Sequence, residues 1–308
     1  MKKFVINTIL FFAIIAIIDL LFGYGLDYMY SHAKGGDARE MNDVCRDGQY
    51  DVIVMGSSRA QHHYVPEIIA DSLSLSCYNT GKDGNGIVLM YGIYQMIKER
   101  YKPSFIVYDI AKGFDIYENE LDQNDTRYVS LLKPYNKVLY VDEIFKSFSW
   151  QEWVKTWSSL YRFNSKTFSV ATSFLFKVPY HNDGYVPLTG VMDYEPAVTE
   201  PKDSGVQDSL KINYFERFIR STQTDGIPLI CVISPTYGAA SSERYLPIKK
   251  LCMRYGIPCF DYYTDGAFLG KKVLFKDATH LNDYGARLFT SLFVTDLKKQ
   301  NLIINRKK

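Results

Sequence analysis

The stretch Asp51-Val52-Ile53-Val54-Met55-Gly56-Ser57-Ser58 is apolar and β-branched as far as Met55, then breaks at a glycine and two serines. Apolar residues on consecutive rather than alternate positions are expected where both faces of a strand are covered, as in a parallel sheet. The stretch therefore reads as a buried parallel strand ending in a turn. In an open parallel sheet, reacting groups gather at the carboxyl ends of the strands. Ser57 and Ser58 stand at such an end.

Outward from this strand the same pattern repeats. A helix is predicted across residues 66–73, and a short strand at Cys77-Tyr78-Asn79 ends in Thr80-Gly81. A helix follows over 85–100, from the spacing of Ile87, Met90, Tyr91, Tyr94 and Ile97. Phe105-Ile106-Val107-Tyr108 is another buried strand. Alternation resumes with a helix at 209–221, a strand at 228–233, a helix at 242–255, a strand at 257–262 and a last helix over 282–298. Strands alternating with helices predict an α/β fold, a three-layer α/β/α parallel sheet with helices on both faces. Between residues 113 and 204 the pattern loosens into a partly helical, aromatic-rich insertion expected to cover one end of the sheet. Trp150, Trp153 and Trp157 recur there at helical spacing, which predicts core packing, or a sugar-stacking wall where the rings are exposed. Asn124-Asp125-Thr126 matches a glycosylation sequon.

Lys2 and Lys3 precede an apolar run over residues 4–22, interrupted only by Asn7, Thr8 and Asp19. That run is long enough to cross a bilayer core. Basic residues on its N-terminal side predict a cytoplasmic N-terminus and export of the remainder to the periplasm or cell surface. Phe22-Gly23-Tyr24-Gly25 offers no A-x-A-like cleavage site, which favours an uncleaved signal anchor at 1–30, a single pass through the cell membrane. Tyr24, Tyr28 and Tyr30 are expected at the membrane interface, with Asp19 near enough the outer end to reach water. The polar residues 31–49 read as a stalk, and 50–300 as the exported domain.

Composition bounds the function. With 36 basic against 34 acidic side chains and a net charge of +2, the chain lacks the concentrated basic surface of a nucleic-acid binder. Five cysteines show neither a C-x-x-C pair nor zinc-like spacing, and are expected as buried thiols, with Cys252 and Cys259 able to close a small loop in an oxidising compartment.

Three groups lie at strand ends: Ser57-Ser58, Gly81, and Asp277-Ala278-Thr279-His280 just before the last helix. A serine hydroxyl becomes a nucleophile when a base takes its proton and donors stabilise the oxyanion. His280 can be that base if Asp277 orients its ring. From position alone Ser57 and Ser58 are equivalent.

In this order the residues resemble the SGNH/GDSL hydrolase family. The resemblance rests on Gly56-Ser57-Ser58-Arg59, Gly81 and Asp277-x-x-His280, and spans residues 50–112 and 205–298, with Ser57 in place of the usual aspartate. The Gly-Ser-Ser form is similar to that of membrane-anchored members such as the D-alanine transfer protein of teichoic acid modification. The resemblance implies a flavodoxin-like sheet, Ser58 as nucleophile, the Ser58 and Gly81 amides as oxyanion donors, and neither metal nor organic cofactor. It also implies acyl transfer from an ester, often an acetyl group on a polysaccharide, to water or another hydroxyl. One departure stands out. Asp109-Ile110-Ala111-Lys112-Gly113 has no asparagine where the family carries a side-chain oxyanion donor. Either Lys112 or a neighbouring backbone N–H replaces it, or the oxyanion hole is weaker, at about 10²–10³ in rate. Arg59 is read as binding an anionic substrate group, or else as a solvated or helix-capping side chain. His62 and His63, a turn beyond Ser58, are expected to line the cleft.

Two functions follow. The first is a membrane-tethered serine esterase or O-acyltransferase acting on an acylated carbohydrate or other ester, with a membrane acyltransferase as partner. The second is a non-catalytic binding or assembly component of a membrane polysaccharide-modifying complex that keeps the hydrolase fold.

Overall fold

In chain order the elements of the computed structural model are α1 (Lys2–Ser31), α2 (Gly36–Asn42), β1 (Val52–Gly56), α3 (Ser58–His63), α4 (Pro66–Leu73), β2 (Cys77–Asn79), α5 (Ile87–Lys98), β3 (Phe105–Asp109) and α6 (Lys112–Asp115). There follow α7 (Leu139–Phe148), α8 (Trp150–Lys155), α9 (Ser159–Arg162), α10 (Thr167–Leu175), α11 (Ser209–Asp225), β4 (Leu229–Ile233), α12 (Leu246–Tyr255), β5 (Cys259–Asp261) and α13 (Asp283–Lys299). The structure describes residues 1–118, 130–164, 166–181, 183–195 and 205–300, and the sequon at Asn124 lies outside them. The chain divides into two units, Gly48–Tyr128 with His181–Lys308, and Met1–Asp47 with Val129–Tyr180.

The first unit is a five-stranded sheet in the order β2-β1-β3-β4-β5, with every pairing parallel. This is the flavodoxin-like order, in which β1 and β3 flank the point where the winding reverses. All residues of β1, β3 and β4 are buried, which is why these strands read as continuous apolar runs rather than alternating ones. Val52, Val54, Phe105, Val107, Ile230 and Val232 face α3, α4 and α13. On the opposite face Tyr108 meets Phe215 and Phe218 of α11 edge-on or tilted, with ring centroids 5.1 and 5.6 Å away. α4 starts with Pro66 in its first turn, and α11 is capped by Asp208 and closed by Gly226 in the left-handed conformation.

The second unit is helical. α1 is long and apolar enough to cross a membrane. Towards its C-terminal end Gly23, Leu26 and Tyr30 are buried, and the Tyr30 ring packs against Tyr135 and Phe163. Tyr24 and Tyr28 are exposed, whereas Tyr30, expected beside them at the interface, is a core residue. The segment expected as a stalk is also folded. α2 runs into a π-helical turn, Asp43–Asp47, and Met41, Val44 and Cys45 are buried. Its local polarity masks an apolar side, and Asn42 is held through long-range bonds, donating to the Tyr30 carbonyl at 2.6 Å and accepting from the Tyr135 hydroxyl at 3.0 Å.

All five cysteines are free thiols, four of them buried.

Candidate active site

The site begins where β1 ends. Gly56 sits opposite Asp109 in the sheet register with φ at +142°, and a Cβ there would lie 2.6 Å from the Asp109 carbonyl oxygen and 2.9 Å from Ala60 Cβ. Only glycine lets the strand turn this sharply into α3. Ser57 is the extended residue before the helix, and Ser58 is its first helical residue. The two serines thereby point differently. Ser57 is 1 % exposed and its Oγ has no hydrogen-bond partner among the described residues. Ser58 is partly exposed, and its Oγ lies 2.8 Å from His280 Nε2.

His280 is presented by a tight loop, in which Phe275 and Leu281 form an antiparallel bridge and the Lys276 N–H donates to the His280 carbonyl at 2.9 Å. The tip is pinned where the Tyr237 N–H donates to the Ala278 carbonyl at 3.0 Å. Within the loop Asp277 folds back on itself. Its Oδ1 accepts from the Thr279 and His280 amides at 2.8 and 2.9 Å, and both carboxylate oxygens face His280 Nδ1, at 3.0 and 2.9 Å. A carboxylate only accepts, so Nδ1 carries the proton and Nε2 is left as the acceptor for the Ser58 hydroxyl. Burial works against the Asp277 charge, but the hydrogen bond and charge of His280, with the hydrogen bonds of Thr279, hold its carboxyl well below the usual range. Ser58, His280 and Asp277, 222 residues apart at their extremes, thus form one hydrogen-bonded series.

The other expected groups fall differently. The N–H of Ser58 lies in the first turn of a helix, where no preceding carbonyl can receive it. The Gly81 N–H instead donates to Asn79 Oδ1 at 2.9 Å. Its lack of a side chain has a packing reason, because a Cβ would lie 2.4 Å from the Gln61 nitrogen of α3. Asn79 is a staple that sequence reasoning missed: its Nδ2 donates to the Ala60 and Tyr64 carbonyls at 2.7 and 3.0 Å, tying β2 to α3.

Arg59 is neither solvated nor turned towards a ligand. It is 5 % exposed, donates to the carbonyls of Ile110 and Ser234, and pairs with fully buried Asp109 at 3.4 Å. Asp109 also accepts from the Tyr64 hydroxyl at 2.8 Å. The expected ligand arginine is therefore a buried strut joining α3 to the ends of β3 and β4. Lys112 is buried at the start of α6. The same short helix carries Asp115, whose carboxylate accepts from the Ala111 and Ile87 amides at 2.6 and 2.9 Å and from the Tyr108 hydroxyl at 2.7 Å. Burial pushes Asp115 up to about 6 in spite of those donors.

His62 and His63 share a helix and differ in state. His62 Nδ1 faces the Val186 carbonyl at 2.7 Å and Nε2 faces Asp83 at 3.0 Å, so both nitrogens donate. Burial opposes protonation, but the Asp83 and Val186 bonds outweigh it and raise the His62 pKa. Its ring stands edge-on to His280, centroids 5.5 Å apart. His63 is fully buried, with Nε2 accepting from the Leu281 N–H at 3.0 Å and Nδ1 3.1 Å from Ser234 Oγ. Burial, with the nearby His280 and Arg59 charges, depresses the His63 pKa strongly and keeps the ring neutral. His63 links the helix of Ser58 to the loop of His280. Among the described residues no cluster of His, Cys, Asp and Glu could hold a metal ion.

No known family profile matches the chain, and no curated protein does. Solved structures do. A Bacteroides fragilis protein named as a "putative acylhydrolase" aligns over 81 % of this chain and 86 % of its own, with 12 % identity and a TM-score of 0.38. A Streptococcus pneumoniae protein named as a "putative platelet activating factor" aligns over 94 % and 98 %, with 12 % identity and a TM-score of 0.43. At TM-scores this low, neither likeness says what this chain does.

Proposed function

We propose that the chain is a membrane-tethered, extracytoplasmic serine esterase or O-acyltransferase of the SGNH type, acting on acyl esters, acetyl above all, of a cell-surface glycan. The observation that carries this reading is the series Ser58 Oγ to His280 Nε2 to Asp277, with spacings of 2.8 and 2.9 Å. Ser58 attacks the acyl carbonyl as His280 takes its proton, and Asp277 stabilises the imidazolium. The Ser58 N–H donates to the developing oxyanion. His280 then returns the proton to the departing sugar oxygen, leaving an acyl-serine. Water or an acceptor hydroxyl attacks that ester with His280 again as base, regenerating Ser58. With the Gly81 amide engaged by Asn79 and no asparagine in Asp109–Gly113, the oxyanion set is reduced. A missing donor costs about 10²–10³ in turnover, so slow turnover is expected with either acceptor, water or a hydroxyl.

Fluorophosphonate labelling of the full-length protein tests the reading. Labelling is expected to survive Ser57→Ala and to vanish in Ser58→Ala and His280→Ala. A folded wild-type protein that takes no label overturns it. The engaged Gly81 amide favours a second reading, a non-catalytic component of a polysaccharide-modifying membrane complex. Under it Ser58→Ala keeps the cellular role, which an enzyme would lose.

A further inference from the structure

A carboxylate inside an apolar membrane-crossing run is costly unless it is supplied with donors. Asp19 lies inside the run of residues 4–22, and its donors come from far along the chain. It accepts from the Ser158 hydroxyl at 2.7 Å and from the Ser159 and Leu160 amides at 2.8 and 3.0 Å, so it caps the start of α9. One and two turns further along α1, the contact continues on the same face. A Cβ on Gly23 would lie 2.0 Å from Ser159 Cβ, and Asp27 pairs with buried Arg162 at 3.3 Å. Asp19, Gly23 and Asp27 recur every fourth residue, so α9 is seated along one stripe of α1.

The depth of α9 is thereby tied to that of α1. At about 1.5 Å per residue, Asp19 sits roughly one turn inside the end of the apolar run. The start of α9 lies at that level. Around it the surface is apolar: Trp150, Trp157, Leu160, Phe168, Leu175 and Phe176 are all exposed. Large exposed side chains in this number are unusual on a water-facing surface. α9 and α10, which carry Leu160, Phe168 and Leu175, both pack against α1, and tryptophan is favoured at the interface between lipid and water.

We infer that residues 150–176 form a second membrane-bound element, a shoulder that enters the interfacial layer of the bilayer beside the C-terminal end of α1. Its occupant is lipid. The inference rests on the reading of α1 as a membrane span and adds a site of contact to it. Asp19 is then a fastening that fixes how deep the shoulder rides, instead of a residue reaching for water.

The chain provides its own probe, because its only three tryptophans are Trp150, Trp153 and Trp157. Full-length protein is reconstituted into phosphatidylcholine–phosphatidylglycerol vesicles, with acyl chains brominated either near the headgroup or near the chain end. Flotation and tryptophan emission are then measured on the same sample. Bromines near the headgroup are expected to lower the emission at least about twofold, and those at the chain end to act less. Trp150→Phe and Trp157→Phe should remove most of the quenchable signal. Trp153→Phe should remove less, since that ring is half-buried and donates to Asp142 at 2.5 Å. Protein that floats with the vesicles yet keeps unquenched tryptophans overturns the shoulder and leaves the α1 anchor standing. Protein that does not float overturns both.

Discussion

The sheet unit and the helical unit bury polar groups in contrasting ways. In the sheet unit the polar groups stand at the ends of strands whose positions the backbone ladder already dictates: Asp109 at the end of β3, Arg59 a few residues past β1, His63 one turn beyond Ser58. In the helical unit the polar groups hold the elements to one another. Asp19 caps a helix about 140 positions later, and Asn42 bridges Tyr30 and Tyr135. In a sheet set by local apolar runs, Arg59, Asp109 and His63 brace the helix and loops around strand ends that already stand in place, whereas in the helical unit polar groups fix the register of the helices themselves.

If that contrast is right, the largest effect of a single substitution should be on chemistry in the sheet unit. Asp277→Asn keeps the shape but removes the charge that sets the His280 tautomer, and turnover or labelling rate is expected to fall about 10⁴-fold, with a lower melting temperature at neutral pH because the ionised carboxylate stabilises the fold. Next comes Asp109→Ala, which leaves the Arg59 guanidinium buried without its counter-charge. Denaturant unfolding should show a loss of about 3–5 kcal/mol.

His63→Ala should cost about 1–3 kcal/mol, since the Leu281 N–H and the Ser234 hydroxyl lose their partner. It should also change the pH response. The His63 pKa is depressed in the fold, so between that value and an unfolded value near ~6.5 the unfolded chain binds more protons, and stability falls on acidification. His62 has the opposite sign. Its raised pKa contributes stability below ~6.5 that is lost as pH rises through the folded value. Melting curves across this range should show the acid loss blunted in His63→Ala and the alkaline loss blunted in His62→Ala. The smallest effect belongs to the helical unit. Asp19→Ala removes one helix cap, expected at about 0.5–2 kcal/mol, with labelling of Ser58 unaffected. Labelling lost in Asp19→Ala would break the contrast.

Much of the sheet unit was legible in the chain. β1, β3 and β4 are buried on both faces, so their apolar runs announce them, and α4 and β2 fall at the expected residues. The helical unit was not legible, because its contacts join residues far apart in the chain. Residues 36–47 look polar because several of the buried residues, Glu40, Asn42 and Asp43, are themselves polar, and Tyr30 looks interfacial because its partners Tyr135 and Phe163 are a hundred residues or more distant. The tryptophans carry helical spacing, yet Trp150 and Trp157 are exposed, since spacing reports a face and not what covers it. Arg59 and Gly81 were singled out for chemistry because they adjoin Ser58 or end a strand. Only the packing of α3 shows that one is a strut and the other a close approach.

The sequence by itself determined the strands, their alternation with helices in a parallel sheet, and the strand end at which Ser58 had to be sought; Asp277 and His280, expected at a strand end, sit instead in the loop between β5 and α13. The strands and the Ser58 strand end follow from local apolar periodicity and from the stop at Gly56. Tertiary structure decided what local pattern left open between Ser57 and Ser58, and it alone decided that Gly81 donates to Asn79 and that Asp19 caps α9. Those outcomes depend on distances of a few ångströms between residues far apart in the chain, and no local pattern encodes them.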